Sequence, residues 1–176
     1  CGKPAPQRFH MRSMARDPTL RAPLARRGVL INAVAKLDGT KAVIDASFEC
    51  KKHFDRLAEI DPDAALARHF PGMWHFEAAN VGWFAKKAAA AFFGVPPEGS
   101  FEDARDHFLK AETVYKERTG VPWQYAKNKL FLVKTYIELK KKDSAREWLQ
   151  KLLDQKAETT ESKQIQEAGQ KLLDGL

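Results

Sequence analysis

Residues 123–155 read WQYAKNKLFLVKTYIELKKKDSAREWLQKLLDQ, and this stretch decides the fold. It reads as two helices joined by a short charged link. The first carries Leu132, Val133 and Tyr136; the second carries Ala145, Leu149 and Leu152. Small residues such as Ala145 let two helices approach, and a large residue four positions on fills the gap of a neighbouring hairpin. Composition agrees with a helical reading. Ala occurs 25 times, against 13 for Val and Ile together; Ala is the best helix former, whereas β-branched residues favour strands. Only Val29-Leu30-Ile31 approaches a strand-like run. The chain is expected to be all-α.

Helical hairpins invite a search for repeats. The tetratricopeptide pattern places a large residue, Leu-Gly and Tyr on its first helix, then Ala and a large residue four later on its second. Residues 123–155 fit it with Tyr136 nine residues before Ala145, although Val133 replaces the usual Gly. A second small-large pair, Ala104 and Phe108, is followed by Ala111. Cys50, Phe54 and Leu57 followed by Pro62 read as the second half of an earlier unit, and Gly72 falls where the next unit's Gly belongs. The spacing from Gly72 to Ala104 is 20 residues too long, so an insertion carrying Trp83, Lys86, Lys87, an Ala run and Pro96-Pro97 is expected. The expected architecture is a set of antiparallel helical hairpins stacked as a degenerate tetratricopeptide-like right-handed superhelix. Residues 29–176 would form that domain, with the insertion at about 81–100, behind a basic Pro-containing arm over 1–28.

Local signals set the helix limits. Asp38-Gly39 closes a short helix over about 24–37, and a longer one follows over about 41–59. Asp61-Pro62 ends it and opens the next, since Pro suits a first helical turn. Pro71-Gly72 inside the 63–80 pattern predicts a kink or loose turn. A short Ala-rich helix is expected over Trp83 to Phe93, ahead of the break at 94–99. Ser100 reads as an N-cap, with Asp103 giving a capping-box variant. Further helices are expected over 101–118, 123–140, 144–155 and 160–173.

The charge is uneven. Residues 1–30 hold seven basic residues against Asp17 alone, so the arm carries +6 of the formal +7. Arg8, Arg12 and Arg16 recur every four residues and would form one cationic stripe on a short helix between Pro6 and Pro18. Such an arm attracts an anionic partner; the plain alternative is a solvated flexible segment. Its Arg-rich, acid-poor look also suits a transit peptide. Beginning at Cys1 rather than Met, the chain is expected to be a piece of a longer protein. The longest charge-free stretch, Ala88 to Pro97, is ten residues, against the ~20 a spanning helix needs. Two cysteines make no disulfide framework, which points to a reducing compartment.

Catalytic signatures are absent from the sequence: no P-loop, no nucleophile elbow, no dinucleotide fingerprint. Cys50 and His53 stand one turn apart but lack the second pair a closed zinc site needs. His69 and His75 fall on different helix faces, and His107 sits among Asp103 and Asp106 on a face that reads as solvated. No enzyme activity, cofactor or metal is expected.

Binding surfaces are more legible. Lys127, Lys134 and Lys141 recur every seven residues and form a cationic stripe. In a tetratricopeptide unit the first two would face the concave side, where ammonium groups attract carboxylates more strongly than in open water. The same geometry would point Leu66, His69, Met73 and Phe76 into the groove, beside the basic patch. Trp74 and Trp83 read as core. An ordinary wet helix face is the competing reading of the lysines.

The series Lys41-Ala42-Val43-Ile44, Lys52-His53-Phe54, Gly72-Met73-Trp74, Val81-Gly82-Trp83, Phe93-Gly94-Val95-Pro96-Pro97, Phe108-Leu109-Lys110-Ala111-Glu112 and Lys134-Thr135-Tyr136 resembles the regulator of microtubule dynamics family. The resemblance runs from about Gly39 to Leu173; Pro71 departs from it, and residues 1–30 lie outside it. It implies a cytoplasmic, non-enzymatic protein at spindle microtubules and spindle poles, with a role in mitosis and chromosome segregation. Tubulin or another protein with an acidic tail is the implied partner, and no nucleic acid is expected. The alternative it implies is a lipid-binding or membrane-contact tethering module, with an anionic lipid as ligand.

Overall fold

A computed structural model describes residues 30–31, 34, 40–61, 64–81, 90, 98–117 and 122–176. The basic arm over 1–28 and most of the insertion at 81–100 lie outside them, together with Arg8, Arg12, Arg16, Trp83, Lys86 and Lys87. Among the described residues the regular structure is entirely helical. Six helices follow one another: α1 Thr40–Ile60, α2 Ala65–Asn80, α3 Phe101–Glu117, α4 Pro122–Glu138, α5 Lys142–Leu153 and α6 Thr160–Leu173. None is long and apolar enough to cross a membrane. The chain divides into two compact units, Cys1–Ala67 and Arg68–Leu176.

In the first unit, Ala46, Cys50, Phe54 and Leu57 are all buried, so α1 has one inward stripe at helical spacing. Its outer face carries the ion pairs Lys51–Asp55 (2.7 Å) and Arg56–Glu59 (2.6 Å).

The second unit shows how caps and packing cooperate. Ser100 accepts from the Asp103 backbone N–H at 3.0 Å and donates to the Asp103 carboxylate at 2.6 Å. Glu102 and Asp103 in the first turn complement the positive end of the α3 dipole. Thr159 and Ser162 form a full capping box at the start of α6. Helix α4 opens with Pro122 at a position where its missing N–H costs nothing.

Pairs of residues give the helix directions. Ala104 and Phe108 of α3 pack with Leu132 and Tyr136 of α4, while Glu112 of α3 meets Asn128. The order of these pairs runs oppositely along the two helices, so they are antiparallel. Ala145 of α5 packs beside Tyr136, and Leu149 and Leu152 pack with Ala126 and Leu130, which makes α4 and α5 a second antiparallel pair. Helix α6 returns along α5, with Ile165 against Leu149 and Leu152, and it also touches α4. The small-large reading of Ala104/Phe108 and Ala145/Leu149 is met by full burial of all four side chains.

Helix α2 is one element with Pro71 inside it. At the neighbouring Gly72 a Cβ would lie 2.7 Å from the Phe108 ring, so only glycine lets α2 and α3 approach this closely. Helix α4 stops at Glu138 rather than near 140. Lys140 adopts φ 57, while the Lys141 N–H reaches Tyr136 O and the Lys140 N–H reaches Ile137 O, each at 2.9 Å. That pair of bonds is a Schellman ending, in which a left-handed residue closes the helix and turns the chain.

Candidate functional site

Helix α4 is the centre of the second unit, and its faces sort by position. Asn128, Leu132 and Tyr136 pack toward α3, Ala126, Leu130 and Val133 pack toward α5 and α6, and these six and Thr135 are buried. Lys127, Phe131, Lys134 and Glu138 form a strip at helical spacing, its first three residues half-buried and Glu138 exposed. Lys127 and Lys134, read from the sequence as neighbours on one face, thus share one partly open strip.

Phe131 lies between the two lysines and sets the character of the strip. One side of its ring packs on His69, Phe76 and Phe108, with centroids 6.0, 5.5 and 5.7 Å away. The Lys134 ammonium stands 5.4 Å from the ring centroid, within the range of a cation–π contact. Beside the strip, between α4 and α6, opens a cleft of about 240 Å³ lined by Lys127, Leu130, Phe131, Glu161, Gln164, Ile165 and Ala168.

The other expected site residues fall elsewhere. Lys141 is exposed but lies past the end of α4, as the N-cap residue of α5. The Schellman turn removes it from the helical register that a seven-residue spacing assumes. His69 and Phe76 are buried, at 3% and 7% exposure. Met73 is half-buried against the same aromatic cluster. Trp74 stands edge-on to His75 at 5.1 Å and is half-buried.

His69 belongs to a buried polar network whose sign in the sequence is indirect. Asn128, fully buried, uses both amide hydrogens, donating to Phe108 O at 3.0 Å and to Glu112 Oε1 at 2.8 Å. Its Oδ1 is then an acceptor, so the His69 Nδ1 only 2.8 Å away carries the proton and donates. Burial pushes the His69 pKa down to about 4, the Asn128 hydrogen bond opposes this, and the nearby Lys127 charge adds to it. His69 is therefore neutral at pH 7, as this network requires. Glu112, also buried, faces Lys129 at 3.7 Å, and Lys129 donates to Gln155 Oε1 at 3.0 Å. Gln155 in turn meets Gln166 of α6, whose amide caps the last carbonyls of α5 at Leu152 (3.0 Å) and Leu153 (3.2 Å). One polar chain thus threads α2, α3, α4, α5 and α6. The sequence signal for it was a lone Asn in register with Leu132 and Thr135 on an apolar face.

His107 also departs from its solvated reading. It is half-buried and stacks on His75 with ring centroids 5.4 Å apart. Burial, then the His75, Lys110 and Arg68 charges, push its pKa down to about 4, against a smaller opposing effect of Asp103. Cys50 is buried, as expected of a core residue. Among the described residues no cluster of three or more His, Cys, Asp or Glu side chains is arranged to hold a metal ion.

Comparison with known proteins adds kinship to this geometry. The sequence profile described as "Regulator of microtubule dynamics protein 1-3" matches residues 24–176. Regulator of microtubule dynamics protein 1 of Bos taurus is 36% identical over 147 residues, covering 84% of this chain and 44% of that protein. The Homo sapiens protein of the same name is 35% identical over 145 residues, covering 82% and 44%. Regulator of microtubule dynamics protein 3 of Rattus norvegicus is 31% identical over 121 residues, covering 69% and 24%. The chain therefore spans less than half the length of these relatives.

Proposed function

The chain belongs to the regulator of microtubule dynamics family, and from that premise we propose that it is a non-enzymatic, microtubule-associated module that binds acidic tails of tubulin or of a partner protein. Its place would be the cytoplasm, at spindle microtubules and spindle poles, with a role in spindle organisation and chromosome segregation. The observation that carries the reading is the partly open strip of α4, where Lys127 and Lys134 flank Phe131 beside the cleft toward α6. In this reading the α3–α6 hairpins are tetratricopeptide-like. Helices α4 and α6 line the concave side, and their mutual contact is the kind that stacks such repeats. The cationic arm with Arg8, Arg12 and Arg16 adds long-range attraction to the same acidic surface.

Binding of this kind weakens with salt, since exposed charges are screened over ~10 Å at 0.1 M and ~3 Å at 1 M. The test is co-sedimentation with microtubules at low and moderate salt, with tail-cleaved tubulin as control. The expected result is salt-sensitive binding that tail cleavage removes and that Lys127→Glu with Lys134→Glu abolishes. Full binding by that double variant would overturn the strip as the site. No sedimentation of the parent chain at low salt would overturn the reading itself in favour of the lipid-binding alternative, and bound lipid would then be extracted and identified.

A further inference from the structure

Charge alone makes the strip a general sink for acidic chains, but the cleft beside it is not built for charge. Its floor is Leu130, Phe131, Ile165 and Ala168, all apolar, and its polar members stand as Lys127 on α4 against Glu161 and Gln164 on α6. Its volume of about 240 Å³ falls below the ~300–1,000 Å³ of pockets that enclose whole small molecules. It is on the scale of one large side chain. We propose that this cleft is an anchor site for a single large apolar side chain of an acidic peptide segment, so that the ligand is read as carboxylates plus one apolar residue. The inference rests on the acidic-tail reading above and adds a specificity element to it.

The occupant follows from charge complementarity. Lys127 lines the α4 side of the cleft, and the Lys134 ammonium stands 5.4 Å from the ring centroid of Phe131, which lines it too. Glu161 stands on the α6 side and repels carboxylates there. An acidic segment must therefore lay its charges over α4 while its apolar side chain turns down between the helices. The two charge signs on opposite walls favour carboxylates over α4 and disfavour them over α6.

The discriminating experiment changes the ligand, which leaves folding untouched. Two short fluorescent Glu-rich peptides, identical except for a central Phe or Ser, are titrated into the chain by anisotropy at low salt. Burial of one Phe-sized group corresponds to roughly 10–100-fold in Kd, so the Phe peptide should bind at least about tenfold tighter. Ala168→Leu, which fills the cleft, should bring the two peptides to equal affinity without weakening the Ser peptide. Its fold is checked by circular dichroism. Equal binding of both peptides by the parent chain, lost in Lys127→Glu, would overturn the anchor and leave the acidic-tail reading standing. A Phe preference that persists in a folded Ala168→Leu variant would overturn the cleft as its seat. Failure of both peptides to bind would overturn the anchor and the acidic-tail reading together.

Discussion

Replacing Asn128 by Leu keeps the side chain's approximate size and removes every hydrogen bond at the node. Asn128 is 0% exposed, so no water replaces them. The His69 Nδ1–H loses its acceptor at 2.8 Å, and Glu112, 3% exposed, loses its amide donor at 2.8 Å and keeps Lys129 at 3.7 Å. A buried group left unpaired costs about 1–3 kcal/mol, with charged groups toward the upper end. The loss of these two hydrogen bonds together should cost about 3–5 kcal/mol, a large part of the ~5–15 kcal/mol that holds a domain together. The assay is urea unfolding followed by helical circular dichroism. With a slope of about 1.5 kcal/mol/M, the midpoint should fall by roughly 2–3 M with the slope unchanged. A companion variant, His69→Leu with Glu112→Leu and Asn128→Leu, replaces the three side chains of the node by apolar groups. It should recover part of the loss, because no buried imidazole or carboxylate is then short of a partner, while Lys129 gives up its contact with Glu112. A loss below about 1 kcal/mol in Asn128→Leu would refute the claim that these bonds hold the helices together. A triple variant no better than the single would show that packing, not hydrogen bonding, is what the site supplies.

Two further outcomes follow from the same structure. His69 has its pKa lowered to about 4 from 6.5, so the stability it confers is complete above pH 6.5 and drains away as pH falls toward 4, by up to roughly 3 kcal/mol. Unfolding midpoints measured across that window should fall less steeply in His69→Gln, which cannot titrate there; identical slopes would sink the assignment. Lys140 holds a left-handed φ of 57, so Lys140→Gly should stabilise the chain by about 1 kcal/mol in thermal melts, whereas a destabilised variant would mean that the Lys140 side chain contributes more than its backbone costs.

Much of the helical framework was legible because its signals are local. The α6 limits and the Ser100 cap were found as expected, since capping needs only residues three apart. Limits near α4 and α5 shifted by about two residues, because the Schellman turn ends α4 at Glu138, and that geometry was not written in composition: Lys stands where Gly is usual. The candidate site was half legible. That Lys127 and Lys134 share a face followed from their spacing alone, whereas Phe131 and the α6 side of the cleft did not, because Glu161, Gln164, Ile165 and Ala168 come from a helix far along the chain.

The sequence by itself determined the all-helical class, the small-large pairs that let α3, α4 and α5 approach, and the cationic register of α4. Each of these depends on residues within a few turns of one another, where periodicity and capping act. Tertiary structure alone decided which faces close. His69 and Asn128 stand 59 residues apart, and only their meeting turned a histidine expected in a groove into the neutral donor of a buried network. The same packing closed α4 against three helices and left Lys127, Phe131 and Lys134 half-buried and Glu138 exposed. A helix pattern says which residues share a side; the neighbours folded against it say which side is inside.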